Sequence, residues 1–206
     1  MFAGILVITG IIFLTKGKSG IYKTVMKAEF SVPVRNMDII YGADSAPLTI
    51  VMYSRYNCVF CRKFFSESFP LLKSEYIDPG KARLIVKLVE FSNDADVLNS
   101  LKTVVCIHKY GKFQKLNELL LSDPQVVYTK EFREVTDGFI DRDSNIAECM
   151  LGGESDAYLA TNKQEFMRLK LTGTPTFVIN NHIYKGYKAY PDFKKVVEKE
   201  WKEALP

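Results

Sequence analysis

The sequence predicts an α/β fold in which a central mixed sheet, flanked by helices, is interrupted by an inserted helical subdomain. A strand–helix–strand pattern covers residues 48–91, helical periodicity runs through residues 92–170, and strand patterns return at 176–185 before a final helix. Strand, helix and strand in succession predict a right-handed parallel crossover. We therefore expect the main domain to comprise residues 37–91 and 171–206, with 92–170 as the insertion.

The first half of the main domain contains the clearest strands. Residues 38–42 predict a short strand, and a turn leads from it into the β-rich run 48–53. After Cys58 the apolar residues recur at helical spacing, and Pro70 should bend that helix. The run 82–91, rich in branched aliphatic residues, is the strongest strand signal in the chain.

The second half of the main domain follows the helical insertion. Residues 176–180 predict a strand, and Asn180-Asn181 followed by residues 182–185 is typical of a tight hairpin. The final helix should begin near Pro191, because proline is favoured in a first helical turn. It should bury four apolar side chains: Phe193, Val196, Val197 and Trp201.

The composition is that of an ordinary globular chain. The 206 residues are 47% hydrophobic and 25% charged, with a net charge of +4, which suits one or two folded domains and argues against disorder. Lysines alternate with acids in residues 194–203, as on a solvated helix face, so we expect no nucleic-acid partner. Because no glycine-rich phosphate loop or dinucleotide fingerprint occurs, we also expect no organic cofactor.

The N-terminal segment is apolar but short. Residues 2–14 are nearly all apolar, whereas a membrane span needs about twenty residues. The length fits the apolar core of an export signal, although preceding basic residues and a small-residue cleavage site are missing. We interpret 1–18 as a signal or membrane-anchor segment and 19–36 as a linker or arm; a buried N-terminal helix is the alternative. Export would place the chain in the periplasm or cell envelope.

Two cysteines one helical turn apart, Cys58 and Cys61, follow a predicted strand and open a predicted helix. The thiolate is the reacting form of cysteine, and the free N–H groups and partial positive charge of a helix N-terminus stabilise it. Cys58 is therefore expected to ionise near neutral pH, and Cys61 is close enough to form a disulfide with it. An oxidoreductase is the leading interpretation.

A second motif, Gly173-Thr174-Pro175-Thr176-Phe177, directly precedes a predicted strand. Proline removes a backbone donor and can place a cis peptide bond in a tight turn, although an isolated Thr-Pro bond is usually trans. Its position after the helical region and before a hairpin favours the cis form.

Together these features resemble the DsbA-like thiol:disulfide oxidoreductases of bacterial cell envelopes, which have a thioredoxin-like fold with a helical insertion. The resemblance covers roughly residues 37–206. CxxC alone is weakly specific, but its combination with Gly-Thr-Pro-Thr-Phe about 115 residues later is much more so. Four passages support it: the strand leading into Cys58-Val59-Phe60-Cys61, the stretch 106–120, Cys149-Met150-Leu151, and residues 173–180.

The resemblance implies a role for each site residue. Cys58 would be the nucleophile, Cys61 the resolving cysteine, and Pro175 a cis-proline facing the disulfide. The backbone of Thr174 would pair with an extended substrate segment. The implied partners are cysteine-containing secreted or envelope polypeptides, together with a membrane redox partner or a reductant.

Val59 and Phe60, between the cysteines, are assigned to substrate binding by the resemblance, and they also bear on the direction of exchange. Strongly oxidising relatives often have a histidine there, and many bury an acid six residues before the nucleophile, where this chain has Met52. We therefore predict a less oxidising enzyme. The flanking Arg55 and Lys63 either favour the thiolate or are ordinary exposed charges.

Several alternatives stay open. The reaction direction is that of an oxidase, an isomerase or a reductase, and an isomerase could oligomerise through the arm 19–36, although this segment shows no heptad pattern. The rival from another class is a non-catalytic metal- or peptide-binding module that uses the cysteines as ligands. His108 and His182 have no ligand-like neighbours in the sequence and are expected to be structural or solvated.

Cys106 and Cys149 lie on separate predicted helices of the insertion. In an oxidising compartment they would form a structural disulfide, which on the entropic model stabilises the fold by about 4 kcal/mol. They are otherwise two small buried hydrophobes. A zinc site built from all four cysteines is disfavoured because only one CxxC is present, and we expect no metal.

Overall fold

A computed structural model describes residues 26–27, 31–111 and 113–204. The predicted signal or anchor segment, residues 1–18, lies outside the described residues. Among the helices that are described, none has the length and apolar character needed to cross a membrane. The α/β class and the helical insertion predicted from the sequence are confirmed.

Among the described residues, the centre of the fold is a mixed sheet of six strands with the order β1-β6-β5-β3-β4-β2. β3 and β4 run parallel, and all other neighbours are antiparallel. The strands are β1 (Met26–Lys27), β2 (Ile39–Tyr41), β3 (Leu48–Ser54), β4 (Ala82–Leu88), β5 (Thr176–Ile179) and β6 (His182–Lys185).

Helices cover the sheet and form the insertion between β4 and β5. The first helical region, from residue 59 to 77, alternates α-helical and π-helical turns. Its segments are α1 (Val59–Lys63), a π segment (Phe64–Ser68), α2 (Phe69–Leu72) and a second π segment (Lys73–Ile77). The others are α3 (Ala95–Lys109), α4 (Gln114–Ser122), a 3₁₀ turn (Pro124–Tyr128), α5 (Lys130–Ile140), α6 (Ser144–Leu151), α7 (Glu154–Arg168) and α8 (Tyr190–Ala204).

Pro70, which was expected to bend its helix, lies in the first turn of α2, and the chain stays helical past it to Ile77. The preceding turns are π-helical, so the N–H of Phe69 bonds to the oxygen of Phe64, five residues earlier. In a π-helical segment the backbone hydrogen bonds span five residues instead of four. Proline lacks a backbone N–H, and Pro70 lies at the position where one bonding pattern gives way to the other.

The two faces of the sheet bury different side chains because residues alternate along each strand. On one face, Ile50 and Met52 of β3 pack with Phe64 and Phe193 from the first helical region and α8. On the other, Tyr53 packs with its neighbours from β4 and β5 against α7. The predicted burial in α8 holds for Phe193 and Val197, which are fully buried, whereas Val196 and Trp201 are half-buried.

The hairpin between β5 and β6 is confirmed at Asn180-Asn181. Both residues have left-handed backbones, with φ of 49° and 64°, as required by the turn type that best suits two-residue hairpin loops. β4 ends at Leu88, three residues before the predicted end, because the Glu90 carboxylate accepts the N–H groups of Phe91 and Ser92 in place of a strand partner.

The insertion is held together by a disulfide between Cys106 on α3 and Cys149 on α6. Both cysteines are buried. The bond links positions 43 residues apart, so it restricts a long loop of the unfolded chain.

A charge cluster with a fully buried centre, formed by Lys87, Asp38 and Glu165, lies on the α7 side of the sheet. The Lys87 ammonium is 2.8 Å from the Asp38 carboxylate and 3.8 Å from that of Glu165. Arg35 also pairs with Glu165 at 2.7 Å, and the Tyr53 hydroxyl donates to Glu165 at 2.6 Å. The cluster therefore joins β3, β4, α7 and the segment that precedes β2.

Candidate active site

Cys58 lies between the end of β3 and the start of the first helix. It is the N-cap of α1, and its sulfur accepts the backbone N–H of Cys61 at 3.2 Å. Both cysteines are free; Cys58 is half-buried, whereas Cys61 is fully buried in the core. Cys58 is thus partly exposed to solvent, and Cys61 is not.

The Thr174–Pro175 segment lies directly opposite Cys58. The peptide bond between these two residues is cis, and the Cys58 thiol donates a hydrogen bond to the Thr174 carbonyl at 3.3 Å. The Gly186 N–H donates to the Pro175 carbonyl at 2.8 Å, which fastens the turn to the residue after β6. The fold therefore brings together two motifs that are 116 residues apart.

This meeting follows from the strand directions. Tyr53, near the carboxyl end of β3, pairs with Thr176 at the start of the antiparallel β5 and with Lys87 near the end of the parallel β4. The end of β3 and the start of β5 therefore share one edge of the sheet. Cys58 and Pro175 each lie just beyond that edge.

The two cysteines have opposite acidities. A hydrogen bond from the Cys61 thiol, with further ones from the Thr174 side chain and from the N–H groups of Cys61 and Phe60, outweighs burial and lowers the pKa of Cys58 from 9.0 to about 6. Burial, followed by the hydrogen bond with Cys58, raises the pKa of Cys61 far above its ordinary value. At neutral pH the pair therefore carries one thiolate, on Cys58.

The alkylation rate of the reduced protein should report this acidity. With iodoacetamide we expect the rate to rise with pH and reach half its maximum near pH 6, because only the Cys58 thiolate reacts. The thiolate stabilises the folded, reduced state fully above pH 9 and loses that effect as the pH falls through about 6.

Cys61→Ala is the informative variant for this measurement, because it removes the hydrogen bond that contributes most to the lowered pKa of Cys58. Its midpoint should move upward. A midpoint near pH 9 in the unaltered protein, or no shift in the variant, would contradict this account of the thiolate.

The residues between the cysteines form an exposed apolar surface beside the reachable sulfur. The side chains of Val59 and Phe60 are 65% and 58% exposed. Large apolar residues with this exposure are available to contact another polypeptide. Neither brings a positive charge to Cys58.

The two flanking cations expected to favour the thiolate have partners of their own. Arg55 pairs with the buried Glu90 at 2.7 Å, and Lys63 lies 3.8 Å from Glu67. The interactions that lower the pKa of Cys58 are hydrogen bonds, and these two charges are not among its principal causes. Met52, at the position where many relatives have an acid, is fully buried in the apolar core.

Glu90 is a residue of the site that the sequence analysis missed. It follows β4, and its carboxylate accepts bonds from Arg55 and from the N–H groups of Phe91 and Ser92. It thereby ties the loop after β4 to the loop that carries Cys58. An acid directly after a long apolar strand was the available signal, but its partner could not be read from the sequence.

The cysteines of the site lack further metal ligands. Among the described residues, the one group of three potential ligands, His182, Glu200 and Glu203, includes neither Cys58 nor Cys61. Two thiols alone leave a structural zinc site two ligands short.

Known proteins resemble this chain in sequence. A family model described as Thioredoxin matches residues 35–199. Disulfide bond formation protein D of Bacillus subtilis (strain 168) is 24% identical over an alignment of 180 positions, and the match covers 79% of this chain and 77% of that protein.

Two solved structures are similar in fold. Wolbachia pipientis alpha-DsbA1 superposes with a TM-score of 0.67 at 21% identity, and the match covers 84% of this chain and 94% of that one. Oxidised BdbD from Bacillus subtilis gives a TM-score of 0.67 at 18% identity, covering 87% of this chain and all of that one (100%).

Proposed function

Because this chain belongs to the thioredoxin family, we propose that it is a DsbA-like thiol:disulfide oxidoreductase that exchanges disulfides with cysteines of other polypeptides through Cys58 and Cys61. One observation carries the proposal. The Cys58 sulfur is accessible, has a pKa of about 6, and lies 3.3 Å from the Thr174 carbonyl. A low-pKa thiolate beside a buried partner thiol is the arrangement that disulfide exchange needs.

In the oxidising direction the enzyme begins with a Cys58–Cys61 disulfide. A substrate thiolate attacks the Cys58 sulfur, the bond to Cys61 breaks, and Cys61 leaves as a thiolate that takes up a proton. A second substrate thiolate then attacks the substrate sulfur of this mixed disulfide. The substrate disulfide forms, Cys58 leaves as a thiolate, and two electrons have passed to the enzyme.

The difference in pKa between Cys58 and Cys61 determines the relative rates of these steps. A thiolate of low pKa is the better leaving group, so release of the product from Cys58 is fast. Cys61 is a protonated, buried thiol at neutral pH, so its attack on a mixed disulfide is slower unless its proton is removed. The mixed disulfide then persists long enough for a second substrate thiol to complete the exchange.

The substrate would bind as an extended segment along the Thr174–Pro175 turn, with its apolar side chains on Val59 and Phe60. Strand-like pairing to the Thr174 backbone supplies affinity without sequence specificity. The exposure of the two apolar side chains beside Cys58 supports this placement. Pro175 lacks a backbone donor and lies within the same turn.

We propose that the reduction potential of the enzyme lies between those of thioredoxin and DsbA. Thioredoxin has a nucleophile pKa of about 7 and a potential of about −270 mV, whereas DsbA has values of about 3.5 and −120 mV. A pKa of about 6 for Cys58 predicts a potential between them. This agrees with the prediction from Val59 and Phe60 that the enzyme is less oxidising than the strongest members.

An oxidising compartment is the proposed location, and secreted or envelope polypeptides are the proposed substrates. The Cys106–Cys149 disulfide supports this, because such bonds persist where thiols are not kept reduced. Continued turnover then requires a membrane redox partner that reoxidises the dithiol, or a reductant for the isomerase direction.

A redox titration of Cys58–Cys61 against glutathione, with parallel assays on reduced and on scrambled substrate, tests the proposal. We expect a potential between about −270 and −120 mV and catalysis of at least one exchange. If reduced substrate regains activity faster than scrambled substrate does, the enzyme acts as an oxidase. If scrambled substrate regains activity faster, the enzyme acts as an isomerase. A dithiol that catalyses neither reaction refutes the proposed function.

A further inference from the structure

A second cluster of potential ligands lies at the end of the sheet opposite Cys58. His182 opens β6, and Glu200 and Glu203 are three residues apart in the last part of α8. Each offers one ligand atom, and these atoms lie within 4.8 Å of one another. In the part of the chain that the structure describes, no other group of His, Cys, Asp and Glu converges in this way.

The spacing of the innermost donors suits a shared metal ion. His182 Nδ1 lies 3.1 Å from each carboxylate oxygen of Glu200. Two ligands bound to Zn²⁺ at about 2.0–2.2 Å in tetrahedral geometry lie about 3.4 Å apart. The pair therefore needs to separate by only a few tenths of an ångström to hold an ion, and Glu203 can supply the third protein ligand.

The central residue, Glu200, is held in place by its neighbours. Glu200 is fully buried, accepts a hydrogen bond from the Tyr184 hydroxyl, and its backbone oxygen accepts the Asn180 side-chain amide at 2.7 Å. Outer partners of this kind orient metal ligands in established sites.

A cationic group already lies between the two carboxylates. The Lys199 ammonium is 3.0 Å from Glu200 and 3.4 Å from Glu203. Its side chain is 53% exposed, so the ammonium can turn into solvent at little cost in solvation. The position of the Lys199 ammonium shows that the two carboxylates attract a positive charge to this place.

We propose that His182, Glu200 and Glu203 bind one divalent transition-metal ion of the Zn²⁺ type, and that the Lys199 ammonium competes with it. Imidazole and carboxylate are ligands that zinc accepts, with water in the fourth position. The ion would join the β5–β6 hairpin to the final helix. Because it binds the folded chain and not the unfolded one, it would raise the melting temperature.

Calorimetric titration of ZnCl₂ into the full chain tests the site. The protein is first oxidised to the Cys58–Cys61 disulfide, so that these thiolates cannot bind the metal. We expect one ion per chain, with an affinity reduced about tenfold or more in His182→Gln and in Glu203→Gln. Lys199→Met should bind zinc several-fold more tightly, because it removes the competing cation. Glu200 is left intact because its buried carboxylate also supports the fold.

Glu198→Gln is the matched control, since this residue is on α8 next to Lys199 but outside the ligand group. Its zinc affinity should equal that of the unaltered protein, and circular dichroism should show that every variant is folded. Absence of binding at millimolar zinc, or equal affinity in His182→Gln and Glu203→Gln, overturns the site. Equal affinity in Lys199→Met overturns the competition, and equal binding of Mg²⁺ overturns the transition-metal assignment.

Discussion

Replacing Cys58 by Ser should reduce the rate of disulfide exchange by at least about 1,000-fold, because a serine hydroxyl neither ionises near neutral pH nor forms a disulfide. Cys58 is the one cysteine of the pair that is both accessible and acidic. The measurement is the rate at which the enzyme oxidises a reduced model substrate, compared with the unaltered protein at equal concentration.

The matched variant is Cys61→Ser, which keeps the nucleophile and removes the buried partner thiol. Incubated with a scrambled, disulfide-bonded substrate, it should accumulate mixed disulfides, because the Cys58 thiolate attacks a substrate disulfide, one substrate sulfur leaves as a thiolate, and no internal thiol can resolve the product. The mixed disulfides are visible as a mass increase on a non-reducing gel. Both variants should keep the melting temperature within a few degrees. Retained turnover in Cys58→Ser would remove that residue from the mechanism, and failure of Cys61→Ser to trap substrate would remove the resolving role.

Replacing Lys87 by Met should lower the free energy of unfolding by about 3–5 kcal/mol. Lys87, Asp38 and Glu165 are essentially without solvent exposure, so removing the ammonium leaves the Asp38 carboxylate buried without its cation, whereas Glu165 keeps its pair with Arg35. Urea denaturation followed by circular dichroism measures the loss. Asp38→Asn added to Lys87→Met should recover part of it, because one uncompensated charge is then removed.

Lys130→Met is the control for this effect. Lys130 pairs with Glu134 at 3.0 Å on the surface, where both side chains are more than half exposed. Such pairs contribute about 0–1 kcal/mol, so the variant should unfold almost as the unaltered protein does. A loss below about 1 kcal/mol for Lys87→Met would mean that the buried cluster contributes little to stability.

The elements of the fold were predictable because their causes are local. The branched aliphatic residues of the run 82–91 predict a strand, the two asparagines at 180 and 181 predict a hairpin, and proline near the start of the last helix predicts its beginning. The difference is at the end of β4, which stops at Leu88 although the predicted run continues to residue 91. Beyond it the Glu90 carboxylate accepts the N–H groups of Phe91 and Ser92, a contact that residue periodicity does not encode.

The site was predictable in part. Cys58 and Cys61 follow from their spacing at a helix start, and the resemblance to a known family pointed to Thr174 and Pro175. The source of the acidity was not predictable. The sequence offered Arg55 and Lys63 as neighbours in the chain, but in the fold Arg55 turns to Glu90 and hydrogen bonds lower the pKa of Cys58.

By itself, then, the sequence determined the chemistry: a dithiol at a helix N-terminus, a proline turn before a strand, and the alternation of strands and helices. Only the tertiary structure decided which distant groups meet. It placed Cys58 against Thr174, Lys87 between Asp38 and Glu165, and His182 beside Glu200. The physical reason is that local patterns arise from neighbouring residues, whereas these contacts depend on strand order and register, which only the packed chain fixes.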